Sequence, residues 1–327
     1  MLTEAAYAGP QEQNKPRLLV LVGPTAVGKT KLSLALAQDL HAEIISGDSM
    51  QVYRGMDIGT AKASPEELAT VPHHLIDIHE PDHPFSVAEF QERAREIIEE
   101  IHHRGRLPFI VGGTGLYVES VCYNFQFSEA GSDEAYRAAQ EAYATEHGDE
   151  ALHERLREVD PETASRLHPN DRRRIIRALE IFHLTGERLS DRLRVQKKES
   201  PYELCIVGLT MDRALLYKRI EERIDLMLEQ GLVDEVRRLL EQGYGKELIS
   251  MQGLGYKEII TYLEGRCTLE EAVELLKRDT RRFAKRQLSW FRHMKDIYWV
   301  DVSDLANFSA HLQQIHAIIA GKLTYDR

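Results

Sequence analysis

Short apolar runs alternate with amphipathic stretches through the first third of the chain. Arg17-Leu18-Leu19-Val20-Leu21-Val22 reads as a buried strand, and Lys31 to Ala37 follows with helical spacing. Glu43-Ile44-Ile45-Ser46 reads as a second strand, His74-Leu75-Ile76-Asp77-Ile78 as a third, and Leu107-Pro108-Phe109-Ile110-Val111 as a further buried one. Ser86 to His103 reads as a helix, with Ser86 as its N-cap and Glu89 completing a capping box. From about Val121 this rhythm breaks. Ser132 to Leu189 keeps helical spacing with no strand signal, punctuated by Gly131, Gly148, Pro161, Pro169 and Gly186. Glu203 to Thr210 returns as a strand. Asp212 caps a helix through Glu229, and Gly231 separates it from another ending near Gly243. Ser250 to Tyr256 reads as a glycine turn, Leu269 to His293 as one long helix, and Asp296 to Val302 as a last strand.

Between the first strand and its helix lies Gly23-Pro24-Thr25-Ala26-Val27-Gly28-Lys29-Thr30, which fills every fixed place of the phosphate loop G-x-x-x-x-G-K-[ST]. Glycines let successive N–H groups turn toward one anion, the helix N-terminus adds partial positive charge, and Lys29 adds a full one. The Thr30 hydroxyl is placed to hold Mg²⁺. The predicted fold class is α/β: a P-loop NTPase-like parallel sheet covered by helices, with an inserted all-helical subdomain. The expected divisions are a flexible tail at 1–14, a catalytic core at 15–120 and 201–327, and a helical insert at 121–200.

Ligands of open α/β sheets sit at the carboxyl ends of strands, so Asp48 after the second strand faces whatever Lys29 and Thr30 hold. Asp48 then serves as a water-mediated metal ligand, a general base or a helix cap. Gly112-Gly113-Thr114-Gly115 permits close backbone approach and sets Thr114 by the same crevice. No apolar run ends in the metal-holding Asp of a nucleotide hydrolase; Ile76-Asp77 comes nearest. Arg223 either caps a diphosphate with its forked donors or pairs with an acid at the surface.

The net charge is −11, from 42 basic and 53 acidic residues, so any contact with nucleic acid must come from local patches. Two exist. Arg172 to Lys198 includes Arg173, Arg174 and Arg177, and Lys277 to Lys295 interleaves Lys285 and Arg286 with Phe283, Trp290 and Phe291. Aromatic rings among cations suit stacking on unpaired bases, whereas solvated helix faces are the alternative. The polar stretch Met1 to Lys15 lacks the apolar core of a signal peptide, and no run is long enough for a membrane span. Cys122, Cys205 and Cys267 lack metal spacing and read as reduced thiols of a cytoplasmic protein.

Taken together, the phosphate loop, Asp48-Ser49-Met50-Gln51-Val52-Tyr53, Gly112 to Tyr117, Asn170 to Glu180, Arg223 to Glu229 and Arg282-Phe283-Ala284-Lys285-Arg286-Gln287-Leu288-Ser289-Trp290-Phe291 resemble the tRNA dimethylallyltransferase family. The resemblance spans about residues 15 to 300, departing at Arg173, where the family carries Gln, and at Ser289, where it carries Thr. It implies transfer of a dimethylallyl group from dimethylallyl diphosphate to N6 of the adenosine 3′ of the anticodon in tRNA. Residues 23–30 then grip the leaving diphosphate, Thr30 holds Mg²⁺, Asp48 accepts the N6 proton and Arg223 stabilises the departing charge. Contacts to the tRNA anticodon stem-loop fall to Asp48, Ser49, Met50, Gln51, Thr114, Arg173, Arg174, Arg177, Lys285 and Arg286. A cytoplasmic monomer with no membrane attachment and no obligate protein partner is implied. The alternative is a small-molecule P-loop kinase using ATP on the same loop.

Overall fold

The computed structural model describes residues 15–127, 131–196 and 199–323. The expected tail at 1–14, and Lys197 and Lys198 of the first basic patch, lie outside them. The chain forms two compact units: Met1–Cys122 with Ser200–Arg327, and Tyr123–Glu199.

The first unit is built on six strands: β1 (Arg17–Val22), β2 (Ala42–Gly47), β3 (His73–His74), β4 (Leu107–Gly112), β5 (Glu203–Thr210) and β6 (Ile297–Asp301). All pair in parallel, in the order β3-β2-β4-β1-β5-β6. This is the expected α/β fold. Parallel strands are covered on both faces, which is why β1, β2, β4 and β5 read as almost unbroken apolar runs. Leu18, Val20, Val22, Ile45, Phe109, Ile110 and Leu209 are all fully buried.

Register brings the strand ends level. Val22 lies opposite Gly112, and Gly112 opposite Gly47. The phosphate loop, Asp48 and the Gly113-Thr114 turn therefore leave the sheet side by side. Gly112 must be glycine here, because a Cβ would meet the Gly47 carbonyl oxygen at 2.3 Å. Gly28 has φ 105° at the N-cap of the helix Lys29–Asp39, a conformation that side chains rarely adopt.

Five local features depart from the sequence reading. The third strand was expected over His74 to Ile78, but β3 stops at His74, because Leu75 and Asp77 are left-handed with φ 60° and 54°. The capping box is half-formed. Ser86 Oγ accepts the Glu89 N–H at 3.1 Å, while the Glu89 carboxylate is engaged by His79, His83 and Arg93. The expected turn ending at Tyr256 opens a helix, Tyr256–Leu263, and the Gly112–Tyr117 segment opens another, Gly115–Cys122. The helix Phe308–Ala320 was not foreseen; its N-cap Asn307 makes no side-chain capping bond.

The second unit is helical, from Glu134–His147 through Leu189–Val195. Its own core comprises Ala144, Leu152, Leu156, Ala164, Ile175, Ile176, Ala178 and Leu179. Among the described residues, no helix is long and apolar enough to cross a membrane.

Candidate active site

At the strand ends lies a cavity of about 310 Å³ whose wall includes Thr25, Asp48, Thr114, Arg223, Phe283 and Arg286. Ile220, Ile224, Met227 and Leu276 give it an apolar side. A second, tighter cavity of about 80 Å³ is lined by Lys29, Thr30, Gln51 and again Asp48. Asp48 thus borders both the phosphate-loop side and the larger chamber.

The charged groups here are partly withdrawn from water, and each feels the loss. Burial pushes the Asp48 carboxyl up, against the Met50 N–H that it accepts at 2.8 Å and against the charges of Lys29 and Arg223. Burial also pulls Arg223 down, with Asp48 opposing. Lys29 is brought down to about 7, first by burial and then by Arg223, with Asp48 again opposing. Its Nζ is folded back on its own loop, donating to the carbonyls of Gly23 at 2.9 Å and Pro24 at 2.8 Å. In that loop Ala26 is left-handed at φ 64°, and its carbonyl accepts from Arg219 Nε at 2.8 Å. A strained residue at a ligand loop persists only where its surroundings hold it.

Thr30 and Asp48 share the tighter cavity, so two hard oxygen donors stand beside the lysine. That donor set suits Mg²⁺, which takes one or two protein oxygens and completes its shell with phosphate and water.

The remaining candidates divide. Ser49, Met50 and Thr114 line the larger cavity, and Thr114 Oγ1 accepts the Ser49 N–H at 3.1 Å. Gln51 is spent internally: its Oε1 accepts from Ser46 Oγ at 2.9 Å and its Nε2 donates to the Thr60 carbonyl at 3.3 Å. Arg286 reaches the larger cavity, whereas Lys285 lines a different one with Arg213 and Arg292. In the helical unit, Arg173 and Arg174 are exposed, with Arg174 3.3 Å from Asp171. Arg177 is bound to the fully buried Glu180 at 2.6 Å. Asp77, the nearest approach to a hydrolase carboxylate, is paired with Lys62.

Sequence reasoning offered Trp290 only as a stacking ring and gave Gln287 and Glu235 no role. Gln287 bonds to the phosphate loop, and Trp290 donates to Glu119 at 3.0 Å. Glu235 accepts the N–H groups of Asp57, Ile58 and Gly59 and the Tyr256 hydroxyl, fixing the loop that runs into the cavity wall at Gly59. Gln287 and Trp290 stood in a quoted motif; for Glu235 no signal was present.

A half-buried carboxylate between a phosphate loop and a half-apolar chamber is the layout of a group-transfer enzyme whose leaving group is a phosphate. Comparison with known proteins specifies the class. A family model described as IPP transferase matches residues 51–294, and one described as isopentenyl transferase matches residues 16–83. The chain is 54% identical over 307 residues to a tRNA dimethylallyltransferase of Geobacillus thermodenitrificans, covering 94% of this chain and 97% of that one. A solved tRNA isopentenylpyrophosphate transferase of Bacillus halodurans is 52% identical, with TM-score 0.72 over 94% of this chain and 97% of its own. A eukaryotic dimethylallyltransferase, solved acting on tRNA, is 31% identical with TM-score 0.81, over 94% of this chain and 78% of its own. The chain belongs to the tRNA dimethylallyltransferase family, a family of prenyl transferases. The kinase alternative finds no support among these relatives.

Proposed function

We propose that the chain moves a dimethylallyl group from dimethylallyl diphosphate to N6 of the adenosine 3′ of the anticodon in tRNA, releasing diphosphate. The observation that carries this reading is Asp48, half-buried, bordering both cavities and lying in the field of Lys29 and Arg223. An exocyclic amine conjugated to a purine is a poor nucleophile. The reaction therefore depends on stabilising the leaving group and on taking the amine's proton. As the C–O bond breaks, its electron pair goes to the diphosphate, and the loop N–H groups, Lys29 and Arg223 stabilise that charge. The N6 lone pair forms the new C–N bond, and Asp48, whose basicity burial raises, accepts the proton. The Thr30 hydroxyl would hold Mg²⁺, which supplies further charge neutralisation when bound and leaves the Asp48 carboxylate free for the proton.

The apolar side chains Ile220, Ile224, Met227 and Leu276 suit a short branched hydrocarbon. Phe283 and Arg286 on the same wall suit an adenine that has left its stack. In the helical unit, the exposed Arg173 and Arg174 suit phosphates of the anticodon stem. A cytoplasmic monomer is part of the same reading.

The test is direct. The protein is incubated with unmodified tRNA, Mg²⁺ and either dimethylallyl diphosphate or ATP, and the tRNA is digested to nucleosides. An alkylated adenosine with the first donor alone is expected. Phosphate transfer from ATP without alkylation would overturn the reading.

A further inference from the structure

Gln287 lies on the helix Leu269–His293 and is almost wholly buried, and both ends of its amide are hydrogen-bonded. Its Oε1 accepts the Thr25 N–H at 2.8 Å, and its Nε2 donates to the Gly113 carbonyl at 2.9 Å. Thr25 is the third residue of the phosphate loop and lines the larger cavity. Gly113 precedes Thr114, which lines the same cavity and accepts the Ser49 N–H next to Asp48. One side chain therefore ties the loop that grips the leaving group to the turn that faces the acceptor. The fit is close: a Cβ at Gly113 would fall 2.2 Å from the Gln287 amide nitrogen. One turn along the helix, a Cβ at Gly115 would fall 2.3 Å from the Trp290 ring, and the indole donates to Glu119. The helix is thus pressed against the 113–115 turn at two points, which holds the amide in register. Only a side chain with a donor and an acceptor at its tip satisfies an N–H and a carbonyl together.

We propose that Gln287 is a positioning residue for prenyl transfer, its amide setting the spacing between the diphosphate cradle and the acceptor turn. This rests on the prenyl-transfer reading above. Displacement rates depend steeply on the separation of the reacting atoms, and misplacement by about 1 Å costs on the order of 100-fold. A spacer that slackens leaves the substrates bound but poorly aimed. It also lets water take the allylic carbon in place of the amine, giving the prenyl alcohol and the same diphosphate.

The experiment compares wild type, Gln287→Met and Gln287→Glu in single turnovers with saturating dimethylallyl diphosphate, Mg²⁺ and tRNA. Alkylated adenosine and prenyl alcohol are both quantified. Gln287→Met is expected to lower the transfer rate roughly 10-fold or more and to raise the share of prenyl alcohol, while both KM values, from separate steady-state titrations, stay within about threefold. Gln287→Glu keeps an acceptor for Thr25 and regains a donor for Gly113 only when protonated, so its rate relative to wild type should climb as pH falls. Even if Gln287→Met fails to fold, that pH dependence tests the proposal. Wild-type transfer rate and product ratio in a folded Gln287→Met variant would overturn it, as would a flat relative pH profile for Gln287→Glu. A wild-type protein that alkylates no adenosine would sink the prenyl-transfer reading itself, a separate failure.

Discussion

The two units carry positive charge in opposite ways. In the sheet unit Lys29 and Arg223 are half-buried, Asp48 acts on both, and Arg223 acts on Lys29. In the helical unit Arg173 and Arg174 stand in solvent. Burial makes electrostatics strong and costly, which suits stabilising a charge that exists only at the transition state. Exposure makes each charge weak and dependent on salt, which suits gripping a long polyanion by many additive contacts. Arg177 belongs to neither pattern. With Arg137 and the Asp133 N–H it surrounds the buried Glu180, so part of its role is to hold the helical unit together.

That contrast is broken most sharply at Asp48. Asp48→Ala should cost about 10²–10⁴ in turnover while tRNA binding stays measurable. Turnover near wild type would remove Asp48 from the chemistry and leave the buried side of the comparison empty. Arg223→Met should cost about 10² in kcat, because a preorganised group facing a developing charge is lost. An effect confined to tRNA affinity would move Arg223 to the binding class. In the helical unit Glu180→Ala should destabilise by about 2 kcal/mol, since the Asp133 N–H and two arginines lose their acceptor. Limited proteolysis should then cut within 123–199 first; an unaltered pattern would show that Glu180 anchors nothing. Arg174→Ala should weaken tRNA binding only about threefold and reduce the slope of log affinity against log salt by about 1. An unchanged slope would take Arg174 off the RNA.

How far the chain could be read beforehand follows the same division between local and distant signals. β1, β2 and β4 were legible because buried parallel strands are apolar runs stopped by glycine. β3 was not, because two left-handed residues interrupt an apolar segment, and backbone conformation at Leu75 and Asp77 leaves no mark on hydropathy. The helix Tyr256–Leu263 was hidden by the glycines that precede it. Within the site, Lys29, Thr30 and Asp48 were found because a local motif places them at strand ends. The Gln287 bond to Thr25 spans 262 residues, and the Glu235 bond to Asp57 spans 178. Neither has a period or a spacing that a single sequence can display.

The smallest expected effect probes the buried side of the contrast without altering it. A lysine held at about 7 is mostly neutral at pH 8, and a neutral amine still has two hydrogens for the Gly23 and Pro24 carbonyls that accept from it. A bound diphosphate favours the ammonium form and raises that value. Binding at pH 8 should therefore take up a proton, on the order of half a proton or more per site, fading toward pH 6 where Lys29 is already charged. Calorimetric titration of inorganic diphosphate in buffers of different ionisation enthalpy reads the uptake directly. Diphosphate itself releases protons on binding, so the Lys29 contribution is the difference between wild type and Lys29→Met. Proton uptake equal in the two at pH 8 would mean that Lys29 stays charged in the empty loop. Burial around the phosphate cradle would then impose less electrostatic cost than the comparison requires.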